Sequence, residues 1–229
     1  MPALADLNPI DQLRAGRLPR RLVQLVAGLW LFGASEALMV ATRLGNAPWD
    51  VFHQGVALHT GVSMGTVVIL TGVVVLLLWI PLRQWPGLGT AANTVLIGIA
   101  LDATLALLPP VHGLGARGGL LVTGIVLNGL AGGLYIGSQL GPGPRDGLMT
   151  GLNLRTGVSL RLARTSVEVL VLVVGWLLGG TLGIGTVLYA LLIGPLTQAF
   201  LGPCVVPLVP PLSTKAAPTV APVRGDDPF

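Results

Sequence analysis

Four carboxylates define the chemistry open to this chain. Glu36 and Asp102 stand within apolar stretches, and Asp50 and Asp146 in the short segments that connect such stretches. An ionisable side chain in such a setting is costly, so each is a candidate site for a cation, a proton or a charged solute. Asp50 and Asp146 each follow a proline by two residues, in Pro48-Trp-Asp50 and Pro144-Arg-Asp146. Proline suits the first turn of a helix, where its missing N–H costs nothing, and an acid there is favoured by helix polarity. The N–H groups of such helix starts attract anions, whereas the carboxylates attract cations or protons. A zwitterion or a proton-coupled solute satisfies both. Arg164 and Glu168, four residues apart, are spaced to pair on one helix face as a structural ion pair. Asn93, Asn128, Tyr189 and Gln198 read as polar links between helices.

Catalytic signatures are absent. The chain has no His-Glu-x-x-His, no Gly-x-Ser-x-Gly, no phosphate-binding glycine loop and no Cys/His cluster. His53, His59 and His112 have no obvious metal partners, and Cys204 is alone, so no intrachain disulfide can form. Neither an enzyme, a cofactor nor a metal is expected.

The elements that position these residues come from a duplication. Leu44-Gly-Asn-Ala-Pro-Trp-Asp50, running on to Thr60-Gly-Val-Ser63, repeats without a gap 96 positions later as Leu140-Gly-Pro-Gly-Pro-Arg-Asp146 and Thr156-Gly-Val-Ser159. The same offset matches Leu25, Val26, Gly28 and Gly33 with Leu121, Val122, Gly124 and Gly129. In each copy the segment reads as a short helix, either re-entrant or interfacial, with Ser63 or Ser159 capping the helix that follows. Glu36, Asp102 and the Arg164–Glu168 pair have no ionisable mates, so they belong to one half only.

Composition decides the medium. Hydrophobic residues make up 52% of the chain and charged residues 10%, and mean hydropathy is +0.82. Soluble domains carry about 25% charged residues. A bilayer span takes roughly 20 apolar residues, and six are expected, at 22–42, 65–82, 88–108, 119–139, 162–179 and 183–202. The expected fold is all-α: one membrane domain over 19–202, made of two three-span repeats at about 22–108 and 119–202. Three is odd, so the copies enter the membrane from opposite faces as inverted repeats. Residues 1–18 read as a mobile polar lead and 203–229 as a proline-rich, disordered tail. The first span follows Arg14, Arg17, Arg20 and Arg21, yet its full copy at 119–139 marks it as a retained span rather than a cleaved signal.

Small residues recur every fourth position as Gly33, Ala37, Ala41 and Gly45, and again as Gly129, Gly133, Gly137 and Gly141. Such stripes let helix backbones approach closely in lipid, and spans 1 and 4 are expected to cross there. The net charge of +4 reflects topology rather than nucleic-acid binding. With the N-terminus cytoplasmic, eleven basic residues lie inside and only Arg43 and Arg117 outside.

Several of these residues together resemble the bacterial YczE/YyaS/YitT-type family of integral membrane proteins, the YczE branch in particular. They are Leu44–Asp50, Arg145-Asp146-Gly147-Leu148-Met149, Arg164 with Glu168, Gly175-Trp176, and Gly183-Ile-Gly-Thr186 through Gly194-Pro195. The resemblance covers about 20–202 and implies a polytopic protein of the bacterial plasma membrane, with no settled substrate. The family tends to repeat Gly-Pro in the last span of each unit. Here Gly98-Ile99 stands in the first unit and Gly194-Pro195 in the second, a departure from equal halves.

The expected function is secondary transport or facilitated passage of a small solute by alternating access, which inverted repeats support. The solute would bind between Asp50, Asp146, Glu36 and Asp102. The alternative is a non-transporting accessory or regulatory protein acting through its cytoplasmic loops. Expected partners are the lipid bilayer and one small solute, with a homodimer left open. Both termini are expected in the cytoplasm.

Overall fold

A computed structural model describes residues 7–208, and every regular element among them is a helix. They run α1 (Pro9–Arg14), α2 (Leu18–Thr42), α3 (Pro48–Thr60), α4 (Met64–Leu82), α5 (Leu88–Leu107), α6 (Leu114–Gly137), α7 (Pro144–Thr156), α8 (Leu160–Leu177) and α9 (Ile184–Cys204). The offset of 96 carries α3 onto α7 at both ends, and α2, α4 and α5 onto α6, α8 and α9 to within a residue. It also carries backbone conformation. Arg43 and Gln139 share φ of 54° and 55°, and Gly45 and Gly141 share 120° and 118°.

Five helices, α2, α4, α5, α6 and α9, are long and apolar enough to cross a membrane. The expected sixth span is α8. Arg161, Arg164 and Glu168 fall within its 18 residues and keep it out of that group. Outward faces are apolar: Leu70, Val74 and Leu77 on α4 and Val169, Leu170 and Val173 on α8 are all exposed. The polar lead is partly helical, since the Asn8 side chain caps α1 by accepting from the N–H groups of Ile10 and Asp11. At the other end the expected tail begins inside the fold. Pro203 and Cys204 belong to α9, and Val206 is fully buried, donating its N–H to the Gly137 carbonyl at 3.0 Å. The rest of the expected tail, from 209, lies outside the described residues, as do residues 1–6.

The centre is the antiparallel pair α2 and α6. Gly28 of α2 meets Ala131 and Tyr135 of α6, while Gly124 of α6 meets Ser35 and Met39 of α2. This differs from the expectation that the four-residue stripes would cross there. A Cβ on Gly33 would strike the Ile97 carbonyl of α5, whereas Gly129, Gly133 and Gly137 lie against Leu196, Phe200 and Cys204 of α9. Gly28 and Gly33 are five residues apart, about 140° around a helix of 3.6 residues per turn, so they serve different neighbours. Ala37 is fully buried and Ala41 half-buried. The stripes pack helices closely, but Gly33 joins α2 to α5 and Gly129, Gly133 and Gly137 join α6 to α9, while Gly45 and Gly141 at their ends meet Thr186 and Thr90 of the opposite half.

Each half also closes the other's central helix. The last carbonyls of a helix have no partner within it. Buried Arg21, at the start of α2, donates to the Ser138 carbonyl at 2.8 Å and the Gln139 carbonyl at 2.6 Å, beyond the end of α6. Its copy Arg117, at the start of α6, donates to the Thr42 carbonyl at 2.5 Å, at the end of α2. Hydrogen bonds from a charged donor contribute about 1.5–3 kcal/mol each. Arg21→Ala is therefore expected to destabilise the protein by at least about 2 kcal/mol. Arg117→Ala, which loses a single bond at a half-buried position, should cost less. Thermal unfolding in detergent checks both, and unchanged midpoints for the pair would remove these caps from the account of stability.

Candidate functional site

The short helices α3 and α7 build the site because the chain turns back before each. Gly45 and Gly141 take positive φ in these reversals, a conformation that glycine adopts readily. Backbone groups exposed by the breaks find partners in the other half. Gly185 N–H donates to the Leu44 carbonyl at 2.9 Å, and its copy Gly89 N–H donates to the Leu140 carbonyl at 2.7 Å. Proline then opens each helix, and Gly61 and Gly157 close them at φ of 72° and 71°. The first turn of α3 is largely buried, whereas in α7 Pro144 and Gly147 are buried, Arg145 is half-buried and Asp146 is exposed; both C-terminal ends, at Thr60 and Thr156, are exposed. Helix α3 packs chiefly on α8, and α7 on α4, so each half holds the other's short helix.

Pro48 and Pro144 both line a central cavity of about 430 Å³, so the N-termini of α3 and α7 open on it. That volume is in the range of small-molecule sites. Over these helix starts the Arg145 guanidinium lies 4.9 Å from the centre of the Trp49 ring, a cation–π contact. Among the described residues Arg145 makes no ion pair. Asp146 beside it accepts from the Tyr135 hydroxyl at 2.9 Å. Asn128 donates to Ser35 Oγ at 2.8 Å and accepts from the Tyr189 hydroxyl at 3.1 Å. The Arg164–Glu168 pair closes at 3.0 Å within α8 and also lines the cavity, as does Gln198 of α9.

The four carboxylates expected to share one site divide into three places. Asp146 lines the cavity. Glu36 and Asp50 lie buried beside one another behind it, and both oxygens of Glu36 and Oδ2 of Asp50 have no hydrogen-bond partner. Asp102 is elsewhere, between α4 and α5. Its carboxylate accepts from Ser63 Oγ at 2.6 Å and from the Gly65 N–H at 2.7 Å.

That contact marks a difference between the halves. Helix α4 lies tightly on α5, with Gly65 against Gly98 so closely that a Cβ on either would strike the other's carbonyl. Their copies α8 and α9 share no such packing, and open space surrounds Gly194, the copy of Gly98. Sequence accounts for the difference. Arg161 replaces Gly65 and Gln198 replaces Asp102, so the close approach and its carboxylate tie are both lost. The cavity runs between α8 and α9, where the seam is open.

Sequence reasoning passed over His53, Trp49 and Arg145. His53 Nδ1 lies 3.2 Å from Asp50 Oδ1, one helical turn away, a spacing visible in the sequence. Trp49 and Arg145 occupy the same place in the two copies, but their identities differ, so the repeat pattern hides them.

Comparison with known proteins agrees with this reading of the chain's class. A family of unknown function, DUF6198, matches residues 19–202. A Haemophilus influenzae protein named "Uncharacterized protein" is 40% identical over 177 residues, covering 77% of this chain and 81% of the relative. The Bacillus subtilis "Uncharacterized membrane protein YczE" is 34% identical over 172 residues, covering 73% and 79%. No solved structure matches the chain. Its apolar helices and these relatives identify it as a membrane protein, and the chain belongs to the DUF6198 family.

Proposed function

We propose that the protein is a secondary transporter or facilitator of a small solute, rather than an enzyme, working by alternating access. The observation that carries this reading is the central cavity, which opens between α8 and α9 while the equivalent seam between α4 and α5 is closed. In this reading α8 is the sixth span, and α3 and α7 are re-entrant. The two halves are inverted relative to one another, for which the antiparallel run of α2 and α6 is the support. Inverted repeats give two conformations of similar energy, related by exchanging which seam is closed. With both termini cytoplasmic, as the basic residues favour, the open seam faces the cytoplasm and the Ser63–Asp102 contact shuts the outer side.

The solute carries both charges. Unpaired Arg145 and two helix N-termini offer an anionic group its partners, and Asp146 and Glu168 offer a cationic group its own. A carrier's site must bind without holding, and a cation–π contact on Trp49 is a resting place that a carboxylate can outcompete.

The same substitution at the two paired glycines should give opposite results. Gly98→Ala overfills a closed seam and is expected to destabilise by about 1–3 kcal/mol, whereas Gly194→Ala enters open space and leaves the unfolding midpoint unchanged. Equal effects would mean that the two seams are alike in solution. Transport itself is tested with purified protein in liposomes. Amino acids and other small zwitterions are screened for thermal stabilisation and then for uptake, with Arg145→Ala and Asp146→Asn as comparisons. Stabilisation of the native protein by one such solute, weakened at least tenfold in apparent affinity by Arg145→Ala, is the expected result. A protein indifferent to every solute, or variants that respond as the native protein does, would instead favour an accessory role. Reporter fusions after Thr60 and Thr156 should fall on opposite sides of the membrane, and a shared side would end the inversion.

A further inference from the structure

Solute recognition leaves one group of residues without a task. His53, Asp50 and Glu36 are at most 1% exposed, yet Nε2 of His53, Oδ2 of Asp50 and both Glu36 oxygens lack hydrogen-bond partners. Unpartnered polar atoms at such depth cost stability.

Beside this group lies a second, smaller chamber of about 20 Å³. His53 lines it, together with Trp49, Asn93, Pro144 and Arg145, and the last four also line the central cavity. A volume of about 10–15 Å³ is enough for one water, so the chamber can hold a single water between cavity and histidine. Of the two ring nitrogens, Nδ1 is engaged at 3.2 Å by Asp50, and Nε2 is buried without a partner.

We infer that Glu36, Asp50 and His53 form a proton-binding site that communicates with the central cavity through this one-water chamber. The transfer balances within the site. A proton arrives from water at Nε2, the imidazolium gives its Nδ1 proton to Asp50 Oδ1, and the ring is left neutral as the other tautomer. Glu36 is the second acid that shares the load. A metal ion is a poor fit, because among the described residues no three acid, histidine or cysteine side chains are grouped to hold one. The charged and titratable groups facing the site from other helices are Glu36 on α2, Arg145 on α7 and Tyr189 on α9. The Arg164–Glu168 pair of α8 lies across the cavity, and α4 contributes no ionisable residue. Arg145 ties proton and solute together, since it lines both chambers and stands by the acids that the proton neutralises. A role for the proton as coupling ion rests on the transport reading, whereas proton binding itself does not.

The test therefore needs no solute. His59→Gln and His112→Gln leave His53 as the one histidine, and its ring ¹⁵N shifts are followed against pH in detergent micelles. His53 is expected to titrate reversibly. Asp50→Asn and Glu36→Gln should each move its midpoint by about one pH unit, a tenfold change in proton affinity. Asp102→Asn, at the far seam, should leave the midpoint in place. A ring whose ¹⁵N shifts show neither a change of protonation nor a change of tautomer from pH 5 to 9 would overturn the proposal. So would a titration that neither acid substitution moves. If one acid variant fails to fold, the other and the titration of the native site decide the matter. A silent histidine beside working transport removes only the proton site. A titrating histidine in a protein that moves no solute removes only the transport reading.

Discussion

The fold depends on a reciprocal repair of broken backbone. In hydrocarbon an unpaired N–H or carbonyl costs several kcal/mol, and this chain breaks its helices twice at equivalent places. Neither half mends its own break alone. Gly185 N–H reaches the Leu44 carbonyl and Gly89 N–H reaches that of Leu140, while Arg117 and Arg21 cover the helix ends just before. One half alone would leave its turn open, so the two must fold together. The short helices, the cavity they open on and the pairing of α2 with α6 all follow from that requirement.

A residue that touches its own copy lies at the meeting point of the halves, and Trp49 against Arg145 is such a pair. Had the two positions stayed identical, the contact would be two tryptophans or two arginines. One copy instead became the ring and the other the cation, so this shared position is no longer symmetric. The same divergence governs the seams. Asp102 with Gly65 draws α4 onto α5, and Gln198 with Arg161 cannot draw α8 onto α9. Duplication supplied the frame, and a few unshared residues decide which side of it is open.

Local chemistry was legible in the sequence and partnership was not. Pro48, Asp50, Gly61 and Ser63 announce a short helix, its stop and the next start, because each acts within a few residues of itself. Their copies do the same, and the structure follows both closely. The glycine stripes were readable as packing surfaces, but a stripe carries no label for its partner, and α5 and α9 took the place expected for the central crossing. Asp102 was legible as an acid within an apolar helix. Its partners Ser63 and Gly65 lie some forty residues away in sequence, so its position outside the cavity was not. Arg21 and Arg117 stand 96 apart, and their capping role becomes visible only once α2 and α6 are antiparallel. His53 was within reach, since a histidine one turn after Asp50 needs no tertiary information.

Helix α8 is where composition and architecture disagree, and the disagreement has a physical resolution. Its charges, Arg161, Arg164 and Glu168, fall in the first half, and Arg164 and Glu168 face the central cavity as a pair. Beyond them the helix exposes Val169, Leu170, Val173 and Trp176 and tucks Gly175 against Phe52 of α3. Polar residues in a spanning helix are tolerated where they pair or line a wet cavity. A helix built to border such a cavity will therefore fall short of a purely apolar span. Its copy α4 lines the closed seam and carries no charge at all. In the transport reading, Arg164 and Glu168, two of the three charges that make α8 a poor span, are the pair that borders the open seam.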